Sequence, residues 1–423
     1  MNVLIVGSGG REHALGWKIR QSPLLTHLFF APGNPGTSEL GINLAVDPEN
    51  FSDIKREILE NEIDMMIIGP EAPLVAGIRD FCEKDPDLQY VKIIGPGKAG
   101  AKLEGSKDFS KQFMGRYGIP TAGYASFRKE TAEEGFRYLK SIRPPFVLKA
   151  DGLAAGKGVL IIDQLEYAQD ALWEMLVGKF GEASKTVVIE EFLKGTELSV
   201  FILTDGSSYI LFPEAKDYKR IGIGDTGLNT GGMGAVSPVP FADAAFMEKV
   251  KTRIIEPTLE GLRTEKIEYT GFIFFGLINC DGDPFVIEYN ARLGDPETEA
   301  IMLRTEGDLL ELLNAAAEGR LSEKQMGISD HAAATIMLVS GGYPGDYEKG
   351  KIISGYDQAE DCSLFHSGTR LEFGKLKTNG GRVLAVSATG KDIHEALEKA
   401  RSNAMKISYE GKYFRDDIGF DLS

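Results

Sequence analysis

Residues 146–160 read FVLKADGLAAGKGVL, and how this stretch is read decides the fold class. It carries the glycines and lysines of a phosphate-binding loop, without the spacing of the loop that joins a strand to a helix. Only three residues separate Gly152 from Gly156-Lys157, and Gly158 stands where a magnesium-binding hydroxyl would follow. The flanks FVLK and GVLIID are β-branched, apolar runs, so both predict strands. The stretch is therefore a glycine-rich hairpin between two strands, a flap able to close over a phosphate chain, with Lys149 pointing from its strand into the loop. An ordinary hairpin with flexible glycines has the same local signature, so the rest of the chain has to decide.

Working toward the amino terminus, the first hundred residues alternate in the α/β manner: NVLIVG, HLFFAPG, IDMMIIGPE and VKIIGPG as buried strands, REHALGWKIRQ as a helix. This order predicts a parallel, doubly wound sheet with ligands at the carboxyl ends of its strands, where Gly and Pro recur. VGSGGREH (residues 6–13) starts as a dinucleotide fingerprint, but Glu12 replaces the third glycine and Arg11 crowds the place of a pyrophosphate contact. A single phosphate at the helix amino terminus, such as that of a sugar phosphate, fits better. Toward the carboxyl terminus the pattern turns antiparallel, through TVVIEEFLKGTELSVFILTDGSSYILFPE and then two strands joined at an Asp-Gly turn in YTGFIFFGLINCDGDPFVIEYNARLGDPE. A helix-rich stretch runs to about Gly319, and the remainder forms a small α+β domain.

With 423 residues, 43% of them hydrophobic and 26% charged, the chain is an ordinary globular protein of roughly two to four domains. Its net charge of −16 argues against nucleic-acid or anionic-membrane partners, which need a basic face. The three cysteines lie far apart without a CxxC spacing, and no apolar run suits a signal peptide or a membrane span; a reduced, cytoplasmic protein is expected. The five histidines show no zinc-binding spacing.

Two segments carry candidate chemistry. In PFVIEYNAR, Glu288 and Asn290 share one strand face, beside Arg292 and Asp295. A carboxylate and an amide oxygen are hard ligands that suit magnesium on a nucleoside triphosphate. In VVIEEFLKGTELS, the chain after Glu190 and Glu191, at Phe192 and Leu193, could bond an adenine edge through its backbone, and Glu197 could accept from ribose hydroxyls; an exposed charge cluster has the same pattern.

Taken together, GSGGREHALGWK, APGNPGT, GPEAPLVAG, LEGSKDF, KADGLAAGKGV, EEFLKGTELS, NTGGMGAVSPVP, IEYNARLGDPE and TNGGRVLAV resemble the phosphoribosylamine–glycine ligase family, also called glycinamide ribonucleotide synthetases, of the ATP-grasp superfamily. The motifs run in family order from Val3 to RDDIG near the end. The resemblance implies an N-terminal Rossmann-like domain (1–104), a central ATP-grasp domain (105–320) with its glycine-rich hairpin lid at about 121–190, and a C-terminal α+β domain (321–423). It implies ATP-dependent ligation of glycine to 5-phosphoribosylamine through glycyl phosphate in purine biosynthesis, with magnesium or manganese. Contact with the enzyme that makes the short-lived ribosylamine is a further hypothesis.

Residue by residue, the resemblance implies that Lys107, Lys149, Gly156 and Lys157 grasp the ATP phosphates. Glu190, Glu191 and Leu193 would form the adenine hinge, Glu197 would hold the ribose, and Glu288 and Asn290 the metal. Gly9, Gly10, Arg11 and Glu71, with Asn229 and Gly231, would bind substrate, and Arg292, Asp295, Lys219 and Arg220 would sit at the reacting centre. Tyr218 departs from the family's common His, Leu228 from its common Pro, and the NAR and RLG segments (Asn290–Gly294) from the Cys- or Phe-bearing versions in many relatives; GFIFFGLI supplies no acidic metal ligand. The alternatives are another ATP-grasp ligase, such as a carboxylating purine enzyme, an NAD-dependent oxidoreductase, and a non-catalytic nucleotide sensor.

Overall fold

The structure, a computed structural model, describes residues 1–154 and 158–422. Strands Asn2–Gly7, His27–Pro32, Ile42–Asn43, Met65–Ile68 and Lys92–Ile94 form the expected all-parallel sheet, with Asn2–Gly7 at its centre. Alternation along that strand sends Val3 and Ile5 to one core and Leu4 and Val6 to another, which is why it reads as an unbroken apolar run. The two-residue strand Ile42–Asn43 escapes a reading of apolar runs, because both residues are exposed at the sheet edge.

The hairpin of the opening stretch is present. Phe146–Ala150 pairs antiparallel with Val159–Ile162, Lys149 opposite Val159, in a four-stranded sheet with Tyr124–Arg128 and Thr186–Glu191. Gly156 and Lys157 lie outside the described residues. This sheet and helices Ala132–Ser141 and Leu165–Glu174 have a core of their own, built on residues such as Phe127, Leu139, Leu148, Leu172 and Ile189. A separate core lets a unit move as a body.

The antiparallel run beginning at Thr186 splits between two sheets. Thr186–Glu191 stays with the hairpin, while Thr196–Thr204 joins Tyr209–Leu211, Gly271–Cys280 and Asp283–Asn290. The last two strands meet at Asp281-Gly282, both at positive φ, the geometry a two-residue hairpin requires. Glu190, Glu191 and Leu193 therefore lie where the chain leaves one sheet for the other. The carboxyl-terminal five-stranded sheet takes Ala332–Val339, Ser363–His366 and Arg382–Gly390 from the end of the chain, and Lys216–Asp217 and Gly234–Ser237 from its middle. One core runs through all three parts, from Val3 and Phe30 by Phe201 and Phe274 to Met337 and Ala385.

Candidate active site

Helix Lys107–Arg116 starts at Ser106, whose Oγ accepts the Phe109 N–H at 3.1 Å. Asp151, at the base of the hairpin, accepts from Ser106 Oγ at 2.9 Å and from the Asp108 N–H at 2.8 Å. The hairpin base is thus tied to the helix end that carries Lys107, whose Nζ lies 3.4 Å from the Gly152 carbonyl. One turn along, Lys111 shares the same helix face. Lys149 and Glu190 sit diagonally across neighbouring strands, and Glu190 bridges two lysines: Lys149 at 2.9 Å and Lys111 at 3.0 Å. All three are buried. Burial pushes the Glu190 carboxyl up, but the two ammonium groups outweigh it and hold the carboxyl below its ordinary range. Burial lowers Lys111 to about 8, against the pull of Glu190, and lowers Lys107 against Glu288. Two lysines on one buried glutamate leave that cluster with surplus positive charge in a dry place, a condition for receiving a polyphosphate.

Across the hinge, Glu191 is exposed, with its N–H on the Gly123 carbonyl at 2.9 Å, and Leu193 is half-buried. Glu197 pairs with Lys219 at 2.8 Å, and Asp217 lies 3.8 Å from the same ammonium. Burial opposes the Lys219 charge, but Asp217, Glu197 and Glu288 outweigh it and raise Lys219; burial pushes Asp217 up to about 7. Side-chain exposures of 34% and 42% let water screen the Lys219–Glu197 pair, so its strength is discounted. Arg220 does not join this group: its Nη1 donates at 2.8 Å to Gly227, within the hairpin Arg220–Gly222/Thr226–Asn229 that also holds Asn229. Tyr218 is buried and donates to Asp421 at 2.8 Å, a structural role for the position that departs from the family's His.

Glu288 pairs in register with Gly276, where a Cβ would stand 2.9 Å from Glu288 Cγ. The strand without an acidic residue thereby makes room for Glu288 on its neighbour. Asn290, with its amide nitrogen turned inward, donates to the Tyr289 carbonyl and to Glu104, both at 3.1 Å. Among the described residues no three His, Cys, Asp or Glu side chains form a metal-binding group.

At the carboxyl end of the parallel sheet, Glu12 occupies the space a pyrophosphate would need. Its Oε2 accepts the Gly9 N–H at 2.6 Å, its Oε1 pairs with Arg11 Nε at 2.6 Å, and a Cβ at Gly69 would meet it at 2.0 Å. The obstruction is Glu12 and not Arg11, because the helical side chain at this position reaches back over the first turn. Arg11 instead donates to the Leu293 carbonyl at 3.2 Å, and Arg292 meets Glu71 at 3.4 Å and Glu104 at 2.8 Å. Burial raises both carboxyls; for Glu71 the arginines Arg292 and Arg11 win and lower it, while Glu104 stays raised. Asp295 lies over Gly9, where a Cβ would stand 3.3 Å from its Oδ2, and contacts Arg382 at 3.1 Å. Gly231 receives Arg382 Nη1 on its carbonyl at 2.5 Å and gives its N–H to Tyr343 at 2.9 Å. Gly232, at φ +116°, leaves no room for a Cβ against Pro296.

Sequence reasoning thus found residues that converge (Lys107, Lys149 and Glu190; Lys219 and Glu197; Arg292 and Glu71) and missed several that complete them. Lys111 was signalled by its four-residue spacing from Lys107, and Arg382 by its place in TNGGRVLAV. Glu104 stands in LEGSKDF and Glu297, which accepts from Ser199 Oγ at 2.9 Å, in IEYNARLGDPE; Asp217 and Glu299 gave no separate signal.

The amino-terminal residues 1–104 match the phosphoribosylglycinamide synthetase N domain, residues 105–298 its ATP-grasp (A) domain, and residues 333–421 its C domain. A phosphoribosylamine–glycine ligase of Pasteurella multocida is 46% identical over 425 residues, covering 99% of this chain and 98% of that protein. The crystal structure of phosphoribosylamine–glycine ligase from Thermotoga maritima superimposes with a TM-score of 0.86 at 36% identity, over 99% of this chain and 100% of that one. The biotin carboxylase domain of Hydrogenobacter thermophilus 2-oxoglutarate carboxylase, at 18% identity and a TM-score of 0.72 over 99% and 92%, shares the fold. With all three domains in order along its length, the chain belongs to the phosphoribosylamine–glycine ligase family of ATP-grasp ligases.

Proposed function

We propose that the chain ligates glycine to 5-phosphoribosylamine at the expense of ATP, through glycyl phosphate, yielding glycinamide ribonucleotide, ADP and phosphate in purine biosynthesis. Beside family membership, the observation that carries this reading is the buried Glu190 bridged by Lys111 and Lys149, with Lys107 adjacent. A carboxylate oxygen is a poor leaving group. Moving the γ-phosphoryl of ATP to the glycine carboxylate makes an acyl phosphate; the ribosylamine nitrogen then attacks the acyl carbon and phosphate departs. The protein's share is positioning and charge neutralisation.

In this reading Lys107 and Lys149, with Gly156 and Lys157 of the flap, hold the phosphates. Glu190, Glu191 and Leu193 frame the adenine and Glu197 the ribose. Gly9, Gly10, Arg11, Glu71, Asn229 and Gly231 bind substrate, and Arg292, Asp295, Lys219 and Arg220 lie at the reacting centre. Glu288 and Asn290, hard oxygen donors on one strand face, would hold magnesium or manganese, which supplies charge neutralisation on the phosphates. Closure of the flap excludes water from the acyl phosphate, and the separate core of the hairpin unit supports such a motion.

The domain division proposed is 1–104, 105–320 with the lid at about 121–190, and 321–423. Among the described residues no helix is long and apolar enough to cross a membrane. A cytoplasmic location, no nucleic-acid partner, and a transient contact with the preceding enzyme complete the proposal. The test is ADP release with ATP, magnesium, glycine and ribosylamine formed in situ from ribose 5-phosphate and ammonia, with the amide product detected by mass. ADP release that ignores glycine, or requires bicarbonate in its place, would reject this ligase and select another ATP-grasp carboxylate activation.

A further inference from the structure

Glu299, in the first turn of helix Glu297–Arg304, has no solvent exposure. Neither of its oxygens receives a well-formed hydrogen bond from an N–H or hydroxyl group among the described residues, its own amide giving only weak support. It has no cation of its own. Arg382, the nearest guanidinium, directs Nη1 to the carbonyls of Gly231 and Asp295, at 2.5 and 2.7 Å, and Nη2 to Asp295 Oδ1. Arg11 is committed to Glu12 and the Leu293 carbonyl.

Two carboxyls, Asp295 and Glu299, face each other beneath the first turn of helix Gly10–Ile19, each with an oxygen that no donor reaches. A Cβ at Gly10 would stand 2.2 Å from Glu299 Oε1 and 2.8 Å from Ser367 Oγ, and one at Gly9 3.3 Å from Asp295 Oδ2. Asp295 Oδ1, although 3.1 Å from Arg382, is misaligned for a hydrogen bond and is left without a donor. Two buried carboxylates in contact, one of them without a cation, are too costly to coexist; one shared proton satisfies both.

We propose that Glu299 is a positioning residue that acts as a neutral carboxylic acid: its O–H donates to the Asp295 carboxylate and fixes it over the first turn of helix Gly10–Ile19, so that the two carboxyls together present one negative charge, not two, to Arg11 and Arg382, beside the Glu12 carboxylate that Arg11 already pairs with. The proposal rests on the reading above in one respect, that Asp295 lies at the reacting centre, and extends it to a residue no motif singled out. The charged groups facing the pair agree. Burial and the Asp295 charge hold Glu299 well above the ordinary carboxyl range, with Arg382 opposing, whereas Arg382 and Arg11 outweigh burial at Asp295 and hold it below. Tyr343 and Ser367 add no full charge at neutral pH, and His13 and His366, on the neighbouring elements, are neutral there.

Glu299→Gln and Glu299→Ala test it. Gln keeps a donor of the same shape, so its kcat/KM for ribosylamine should stay within about threefold of wild type, whereas Ala should lose about tenfold or more, the scale of a hydrogen bond to a charged group. A Gln variant as impaired as Ala would overturn the proposal. Thermal unfolding between pH 5 and 8.5 gives a second readout. Folded wild type keeps the Glu299 proton that the unfolded chain releases above about 4.5, so the Glu299 contribution to stability falls with rising pH, and Glu299→Gln lacks that contribution while keeping every other. The melting temperature of the Gln variant should therefore gain on wild type as pH rises; a difference independent of pH, or one of the opposite sign, would also overturn the proposal. If the Gln variant fails to fold, infrared spectroscopy of wild type at neutral pH must show a buried protonated carboxyl that Asp295→Asn perturbs; its absence is decisive against. Wild-type protein without glycine-dependent ADP release would sink the reaction assigned above, and the melting comparison would still decide the protonation of Glu299.

Discussion

The lysine cluster at the hairpin and the arginine junction at the parallel sheet are both dry and densely charged, yet their balances are opposite. At the hairpin, Lys111 and Lys149 share the one carboxylate of Glu190, and cation is in excess there. At the junction, Arg11, Arg292 and Arg382 face Glu12, Glu71, Glu104, Asp295 and Glu299, and acid is in excess. A region with surplus cation gains by admitting a polyanion, and one with surplus acid by orienting a neutral or cationic group such as an amine. Under the proposed reaction, this contrast supports ATP at the first region and the amine of the ribosylamine at the second.

The largest effect should come from Lys149→Ala, which leaves Glu190 with Lys111 alone: a loss of about 10²–10³-fold in turnover, measured as ADP release at saturating ribosylamine. An equal rise in the KM values for ATP and ribosylamine, with turnover intact, would break the contrast. Glu288→Gln should lower turnover by about 10²-fold; a near wild-type rate at saturating magnesium would remove Glu288 from the metal role. Arg11→Ala and Glu71→Ala should raise the KM for ribosylamine by about tenfold and that for ATP by much less, the scale of one charged hydrogen bond. Movement of the ATP KM alone would put the amine elsewhere.

The smallest effect is on stability. His13 Nδ1 accepts the His366 N–H at 2.9 Å across the junction, and burial lowers their pKa values to about 3 and about 4. The unfolded histidines take up protons below about 6.5, which the folded ones refuse. Their contribution to stability is therefore complete above pH 6.5 and drains as pH falls toward 4. His13→Gln, which keeps an acceptor for His366, should flatten that fall in a series of thermal melts; an unchanged slope would clear His13 of the acid sensitivity.

Local pattern was enough wherever geometry follows from the chain itself. The continuous apolar run NVLIVG belongs to a strand covered on both faces, Asp281-Gly282 turns a hairpin, and the apolar flanks of DGLAAGKG are two paired strands rather than a strand and a helix. The four-residue step from Lys107 to Lys111 and the acidic residue three places after Gly9 were legible by the same rules. Counting Arg11 beside Glu12 as an obstruction came from weighing bulk without following the direction in which a helical side chain points.

The chain by itself determined periodicity, turns and the residues able to bind phosphate or metal, because these depend on neighbours a few positions away. Only the tertiary structure decided which charges meet. Glu190 acquires two lysines, Arg292 joins Glu71 to Glu104, Arg382 reaches back to Asp295 across 87 residues, and Glu299 is left with Asp295 and no cation. Burial and pairing are long-range quantities: the protonation of a carboxyl depends on what folds over it, and no spacing along a sequence records that.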